Sequence, residues 1–472
     1  MSLFHFFPAL QVRNYRIFWV IQWIALIGFW LQLTAQQWLV YTMTDSAFLL
    51  GLLSACQFAP SLFFTLFTGL WIDRHNKRKI LIGTQITYLV QAFLLGLLLY
   101  TGHETYGWIL FFAFFLGTID SFDMPARMAF MPELVEKDAL HSAISLNSAN
   151  FNLTRMIGPL LAAFLLSYLS YSTIFFLNAL SLIPIIIAYS FMNVNSVIAP
   201  AENRHPLQEI REGLLEAKRN PIIYKNLLAA GTVSGLILNM GTYGPLFADR
   251  VLHAGVEGFG SILFAAGAGS IASGVLSAAS KKHLSQSCIF HSAIACGLLL
   301  MAVSYISFQP LALLVFGILG FTVIIFMVNC NTAIQLASPK EYLGRIMGLY
   351  TFVFLGSAPF GSLLVSTIIE YLGTSAGLLV TGLLEILLIV LYTRPGQSEQ
   401  EINTCHSEIA ISNVKSRSSL SGGTAFSANR RSCYRPYLFR IFLIIFVVEY
   451  PSTKGRISTF PAYWRPATSD TL

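Results

Sequence analysis

The sequence predicts an all-α polytopic membrane protein, with twelve transmembrane helices in two pseudo-symmetric sets of six. Three observations carry that expectation. Hydrophobic residues make up 55% of the 472-residue chain and charged residues only 11%, against about 25% charged in an ordinary soluble domain. The apolar residues gather in runs near the length of about 20 at which a helix crosses hydrocarbon with its backbone bonded internally. The basic residues alternate from one connection to the next, as retention of Lys and Arg on one side of a membrane requires.

In chain order the runs are roughly 16–41, 47–71, 79–101, 106–126, 146–169 and 171–193, then 223–248, 257–279, 286–308, 310–335, 345–371 and 373–393. Tilt accommodates those that are longer than a straight crossing needs. Abundant Leu and Phe without sustained alternation argue against a β-barrel. No small-residue cleavage site follows the first run, so it is expected to stay as a helix rather than be removed as a signal peptide.

Up to residue 394 the chain carries 20 Lys and Arg, and 18 of them fall in the amino-terminal segment, the connections after even-numbered spans and the end of span twelve. Arg250 alone lies on the opposite side, and Arg155 lies within a span. This asymmetry puts both termini of an inner-membrane protein in the cytoplasm. The formal charge of +7 is therefore a topology signal, and no nucleic-acid partner is expected. The six cysteines form no CxxC and no pair in an external loop, and the nine histidines show no ligand spacing. Neither disulfides nor a metal site are expected.

The longest polar stretch between runs divides the chain. Residues 1–193 are expected to form an amino-terminal six-helix bundle, 194–222 a cytoplasmic linker and 223–394 a carboxy-terminal six-helix bundle. The halves echo each other at an offset of roughly 200–210 residues, the internal duplication of transporters whose halves rock about a central site. Asn14-Tyr15-Arg16 opens span one and Tyr224-Lys225-Asn226 opens span seven, while Gly158-Pro159 in span five returns as Pro359 and Gly361 in span eleven. Residues 395–472 differ in character, with one short apolar run at 437–448. Twelve helical residues reach only about 18 Å, too short for hydrocarbon about 30 Å thick, so this tail is expected to be disordered and cytoplasmic.

After span two stands Gly69-Leu70-Trp71-Ile72-Asp73-Arg74-His75-Asn76-Lys77-Arg78-Lys79. It resembles the loop motif of the major facilitator superfamily, G-x-x-x-D-R-x-x-R-R/K, with Asn76 where glycine is common. Asp120-Ser121-Phe122-Asp123-Met124-Pro125-Ala126-Arg127, Met131-Pro132-Glu133, Asn152-Leu153-Thr154-Arg155 and, in the second half, Gly344-Arg345-Ile346-Met347-Gly348 are similar to the branch of bacterial siderophore exporters of the enterobactin type and related drug efflux proteins. The resemblance covers about residues 10–394. It implies the major facilitator fold, a central cavity lined mainly by spans one, four, seven and ten, and proton-coupled export without a bound cofactor. It also implies a cytoplasmic gate built from Gly69, Asp73, Arg74 and Arg78 with Asp123 and Arg127. Two departures stand out: Ala278 replaces the second-half equivalent of Asp73, and Ala162-Ala163 replace the final glycines of the span-five antiporter motif.

Ionisable groups within a span are expensive and usually functional. Asp120, Asp123 and Arg127 share one face of span four at i, i+3 and i+7. Asp120 lies about 10 Å deeper than Arg127 at 1.5 Å per residue and is the first proton-coupling candidate; Glu385, deep in the peripheral span twelve, is the second. Arg155 is a cation with no acid in its own span. It either pairs with Asp120 or recognises an anionic or catechol-like group through bidentate bonds. Gln32, Gln36, Asn239, Asn329 and Asn331 are amides on candidate cavity spans, equally suited to joining helices.

The function these features support is secondary active transport: proton-driven efflux of a small amphipathic molecule, a siderophore or a drug, by alternating access. The partners are the substrate and the bilayer, and the chain is expected to work as a monomer. The alternatives are a lipid or lysophospholipid flippase of the same superfamily and a non-transporting sensor or scaffold. No HExxH zinc motif and no GxxxxGK[ST] nucleotide loop occurs, so neither a metalloenzyme nor an ATP-driven pump is expected.

Overall fold

In a bilayer the backbone must bond within its own segment, and the described residues do so as helix throughout, with no strand among them. The computed structural model describes residues 7–192, 206–279 and 285–393, leaving aside the side chains of 65–67, 69, 70, 73, 206–210, 278 and 279. The chain divides into two compact units between Pro395 and Gly396. All described residues belong to the first, so the tail expected to be disordered lies outside them.

A short helix α1 (Pro8–Gln11) precedes α2 (Arg13–Thr44), α3 (Ala47–Asp73), α4 (Lys77–Tyr100), α5 (Tyr106–Leu134), α6 (Lys137–Leu166) and α7 (Tyr171–Phe191). Then come α8 (Pro206–Arg219), α9 (Pro221–Thr232), α10 (Met240–Arg250), α11 (Gly255–Ala279), α12 (Gln286–Val303), α13 (Gln309–Ala337), α14 (Leu343–Leu372) and α15 (Thr374–Thr393). With Pro221–Arg250 counted as one crossing, twelve are long and apolar enough to span a membrane. Local chemistry explains where they start. Ser46, Asn76, Thr105, Ser170, Asn220 and Ser285 each accept an amide bond at a helix start, satisfying donors that the helix itself leaves over. Asp45, in a left-handed conformation at φ 46°, turns the chain between α2 and α3.

Two features differ from the sequence expectation. The linker contains a helix, α8, whose Glu212 pairs with Arg345 at the start of α14 at 2.6 Å. Span seven is broken. Its α-helix stops at Thr232, a single π-helical turn occupies Val233–Ile237, and α10 resumes at Met240. Gly235 and the β-branched Thr232 and Val233 are weak helix formers, and Pro245 removes a donor one turn above. Side chains replace the lost backbone bonds: Asn239 donates to the Gly235 carbonyl, Tyr243 to that of Ile237 at 3.0 Å, and Ser234 to that of Phe354 at 2.6 Å.

Lipid is as apolar as leucine, so helices associate in it through close packing at small residues. Gly51 lets α3 lie on Ser362 and Ser366 of α14, and Gly260 lets α11 lie on Pro159 and Ala163 of α6; these two crossings join the first six spans to the last six. Arg74, Lys77, Arg78, Lys79 and Arg345 gather at one end of the helices, the basic end, and Asp45, Asp249, Glu257 and Glu370 at the far end.

The tightest approach within the first set provides a test. Gly117→Ala would place a methyl group 1.8 Å from the Gln57 carbonyl oxygen and force α5 away from α3. Overpacking of this kind costs about 1–3 kcal/mol, so melting in detergent is expected several degrees below wild type. Gly83→Ala, with no atom within 4 Å of the new carbon, should melt as wild type does. Identical melting of the two variants would rule out so close a crossing.

Candidate functional site

At the basic end the first set is stitched together by its own charges. Asp123 is fully buried on α5 and accepts from Thr84 at 2.7 Å and Gln85 at 2.8 Å, both on α4. Arg127, one turn along, supplies its counter-charge. Tyr88 donates to Asp120 on the same face, so all three span-four charges turn toward α4 and meet as one cluster. Lys77 and Glu133 close the end of the α4–α5 pair at 2.8 Å.

The loop residues behave differently. Arg78 donates to the Tyr189 and Ser190 carbonyls at the end of α7, where a helix leaves acceptors unsatisfied and its dipole is negative. It is therefore turned away from Asp123. Arg74 follows the last residue of α3 and is exposed. Gly69 and Asp73 lie in the last turn and a half of α3; their side-chain surroundings lie outside the described residues.

Two of the five candidate amides, Gln32 and Gln36, serve as joints between helices. Gln32 donates to Gln91 at 2.9 Å and accepts from Asn178 at 2.6 Å, tying α2, α4 and α7. Gln36 donates to the Ile109 carbonyl at 3.3 Å. Asn239 holds the break in span seven, Asn329 donates to the Ile325 carbonyl at 2.8 Å, and Asn331 accepts from Gln335 at 2.5 Å.

Arg155 is the exception. It stands in the middle of α6 with its side chain exposed. Its neighbour Met156 packs on Gly267 of α11, so this stretch of α6 runs along the boundary between the two sets of six. Asp120 has Asp123 and Arg127 as its charged neighbours, not Arg155. Among the described residues no hydrogen bond or ion pair engages the Arg155 guanidinium.

Bonds between the two sets gather toward the far end. Arg250 binds Asp45 at 2.7 Å, and Tyr41 donates to Asp249 at 2.6 Å. Glu370 of α14 accepts from Ser46 at 3.0 Å and from the Ala47 and Phe48 amides at 2.7 and 3.2 Å, capping α3 from the other set. Ser167 donates to Glu257 at 3.1 Å. One layer deeper, Thr242 donates to Ser54 at 3.0 Å. The sequence reading passed over these residues, although the lone Arg250 on the acid-rich side was the signal that could have found them. A separate groove of about 640 Å³ between the basic ends of α2 and α7, rimmed by Arg13 and Asn14, lies apart from this pathway.

Among the described residues no three His, Cys, Asp or Glu side chains are placed to hold a metal ion. The spelling G-x-S-x-G at 373–377 falls in the turn from α14 to α15, not on the strand-to-helix turn a nucleophilic serine needs.

A sequence model of the family described as transmembrane secretion effector matches residues 5–414. The staphyloferrin A transporter of Staphylococcus aureus is 26% identical over 166 residues, 35% of this chain and 42% of that protein, so the match spans less than half of that relative. Macrolide efflux protein A of Streptococcus pyogenes is 22% identical over 372 residues, 74% of this chain and 87% of that protein. Among solved structures, a bacterial homologue of the human lysosomal transporter Spinster superposes with a TM-score of 0.63 at 14% identity, covering 80% of this chain and 94% of that one. At that identity the likeness speaks to the fold alone.

The far-end contacts have a measurable consequence. Exposed ion pairs contribute about 0.2–1 kcal/mol each, so Arg250→Ala combined with Glu370→Gln should weaken the closure without unfolding either set. In a background without native cysteines, labelling of Ser54→Cys by an impermeant maleimide from the far side is expected to rise roughly threefold to tenfold in the double variant. Unaltered labelling would mean that these bonds do not hold that end shut.

Proposed function

This chain belongs to the transmembrane secretion effector family of major facilitator transporters, and we propose that it exports a small amphipathic molecule, a siderophore or a drug, by proton-coupled alternating access. It is a multi-pass membrane transporter and not an enzyme. The observation that carries the export reading is Arg155: an exposed guanidinium with no protein partner among the described residues, on the stretch of α6 that runs along the boundary between the sets. An unpaired cation there suits a substrate that presents a carboxylate or a pair of adjacent oxygens, since a planar guanidinium binds such groups in bidentate fashion. The names of the relatives, a staphyloferrin A transporter and a macrolide efflux protein, support a siderophore or a drug as cargo.

In this reading the basic end lies in the cytoplasm, both termini are inside, and the membrane is the bacterial inner membrane. The closed far end then makes the present conformation the one that loads from the cytoplasm. Asp120, beside the buried Asp123–Arg127 pair, is the coupling acid of the first set, and the proton gradient replaces any cofactor. The chain acts as a monomer. The lipid-flipping alternative draws on the α2–α7 groove, whose polar rim and apolar wall would suit an acyl chain. That groove does not pass between the sets, so export through the central space is preferred.

Inverted vesicles test this with a panel of siderophores and drugs, with and without collapse of the proton gradient. Arg155→Gln is expected to raise KM for acidic substrates roughly tenfold or more, the loss of a charge-assisted bond of about 1.5–3 kcal/mol, and to spare neutral ones. Asp120→Asn should abolish accumulation against a gradient while leaving binding in place. Equal losses for acidic and neutral substrates in Arg155→Gln would remove its recognition role. Topology is checked separately: reporter fusions at residues 104 and 254 should read external and those at 76 and 210 cytoplasmic, and a cytoplasmic reading at 104 would reverse the orientation.

A further inference from the structure

Glu385 has no part in that scheme, yet it is the most costly side chain in the second set. It stands on α15 about 17 Å from Thr374 along the helix axis, fully buried. Among the described residues neither carboxyl oxygen has a hydrogen-bond partner. Thr232 is beside it, but that hydroxyl donates to the Ala229 carbonyl at 3.1 Å. The titratable groups around it are Cys296 of α12 and Tyr392 of its own helix, with Tyr224 of α9 beyond Tyr392 and Tyr243 of α10 beyond Cys296. None of them is a cation. Nor can α15 readily swing away, because Gly382 lies backbone to backbone on Gly297 of α12, so close that a Cβ there would come within 2.5 Å of the Gly297 carbonyl oxygen.

The duplication of the chain shows what fills the same place in the first set. Gln32, Gln91 and Asn178, from α2, α4 and α7, form a buried triad in which uncharged amides satisfy one another. The residues 200, 205 and 207 positions further on are Thr232, Cys296 and Glu385. These three meet between the corresponding spans of the second set. A neutral, self-satisfied lock in one half has become a carboxyl group with no partner in the other.

The position of this carboxyl is specific. Thr232 is the last residue of α9, and the π-helical turn Val233–Ile237 follows directly. Beyond that turn, α10 carries several of the contacts that close the far end: Thr242 with Ser54, Asp249 with Tyr41 and Arg250 with Asp45. Glu385 therefore stands at the joint between the lower part of span seven and the part that closes the far end.

We propose that Glu385 is a titratable latch on the joint of span seven, neutral in the packing seen here and, on losing its proton, forcing Thr232–Ile237 to rearrange and α10 to release the far-end contacts. An isolated carboxylate in a sealed apolar site costs several kcal/mol, so its charge must bring in water or a donor. The Thr232 hydroxyl and the amides around the π-helical turn are the donors at hand. Use of this motion in coupling rests on the transport reading above; the motion itself does not.

The full-length protein in liposomes without substrate provides the test. Hydrogen exchange of peptides covering 240–250 is followed from about pH 6 to about pH 9, corrected for the intrinsic pH dependence of amide exchange. Wild type and Glu385→Asp are expected to exchange several-fold faster at the alkaline end. Glu385→Gln should hold its acid-side value throughout. A wild type with no such response, or a Gln variant that responds like wild type, overturns the proposal. If Glu385→Gln does not fold, Thr232→Val is informative, because removing a donor to the carboxylate should move the response to higher pH; an unmoved midpoint counts against the latch. The exchange response is read without substrate and export separately in the inverted vesicles, so absent export with the response intact would remove only the transport reading, and an absent response with export intact only this one.

Discussion

Inside hydrocarbon a charge is tolerable only beside a counter-charge, a hydrogen-bond donor or water, and this constraint sorts the ionisable groups of the chain into different kinds of place. At the basic end they bind partners within their own set, as Asp123 does with Arg127, Thr84 and Gln85, and as Arg78 does with the end of α7. At the far end they bind across the sets, as Arg250 does with Asp45 and Glu370 with the start of α3. Arg155 is exposed beside the boundary between the sets and Glu385 is sealed within the second, each without a protein partner among the described residues. The paired groups hold the structure as it stands. The unpaired ones are where a substrate or a proton would act on it.

The energies of the two paired kinds separate what is rigid from what can move. Breaking a buried pair by removing one partner costs about 3–5 kcal/mol, so the Asp123 cluster makes α4 and α5 one body. The cross-set bonds are partly solvent-exposed: Asp45 in the Arg250 pair is 78% exposed, and such pairs contribute about 0.2–1 kcal/mol. A few of them hold one end closed yet can be broken together by modest changes elsewhere. The boundary between strong and weak bonding therefore runs between the two sets, which makes the contacts between them easier to break than those inside either bundle.

The twelve spans, their order and the internal repeat were legible because lipid enforces length and composition on each span independently. The Asp120, Asp123 and Arg127 cluster was legible too, since helical spacing alone puts the three on one face. Their direction was not. Which helix that face meets depends on the rotation of α5 about its axis, and only the packing against Thr84, Gln85 and Tyr88 of α4 fixes it. The same holds for Gln32 and Gln36, whose partners lie on other spans. The far-end closure was hidden for another reason: Asp45, Asp249 and Glu370 sit at span ends where acids are unremarkable, and their meaning appears only when two sets approach. The break in span seven left a trace in Gly235, Asn239 and Pro245, but weak helix formers are common in membrane helices and did not single it out.

The two halves are related by duplication but do not behave alike. Span one is a single helix over Arg13–Thr44, whereas span seven is interrupted after Thr232. Around the corresponding point span one reads Leu31-Gln32-Leu33-Thr34-Ala35-Gln36, good helix formers apart from Thr34 and with no glycine, the amide of Gln32 locked by two neighbours. Span seven reads Gly231-Thr232-Val233-Ser234-Gly235-Leu236, with two glycines and two β-branched residues. The same place on span twelve has exchanged Asn178 for Glu385. One change weakens the helix and the other removes the neutral bond that would have braced it, and both fall in the second half. A pair of equivalent braces would have made two struts. In the proposed latch, converting one of them into a joint lets α10 move against an α2 that stays straight, and the far end opens without unpacking either bundle.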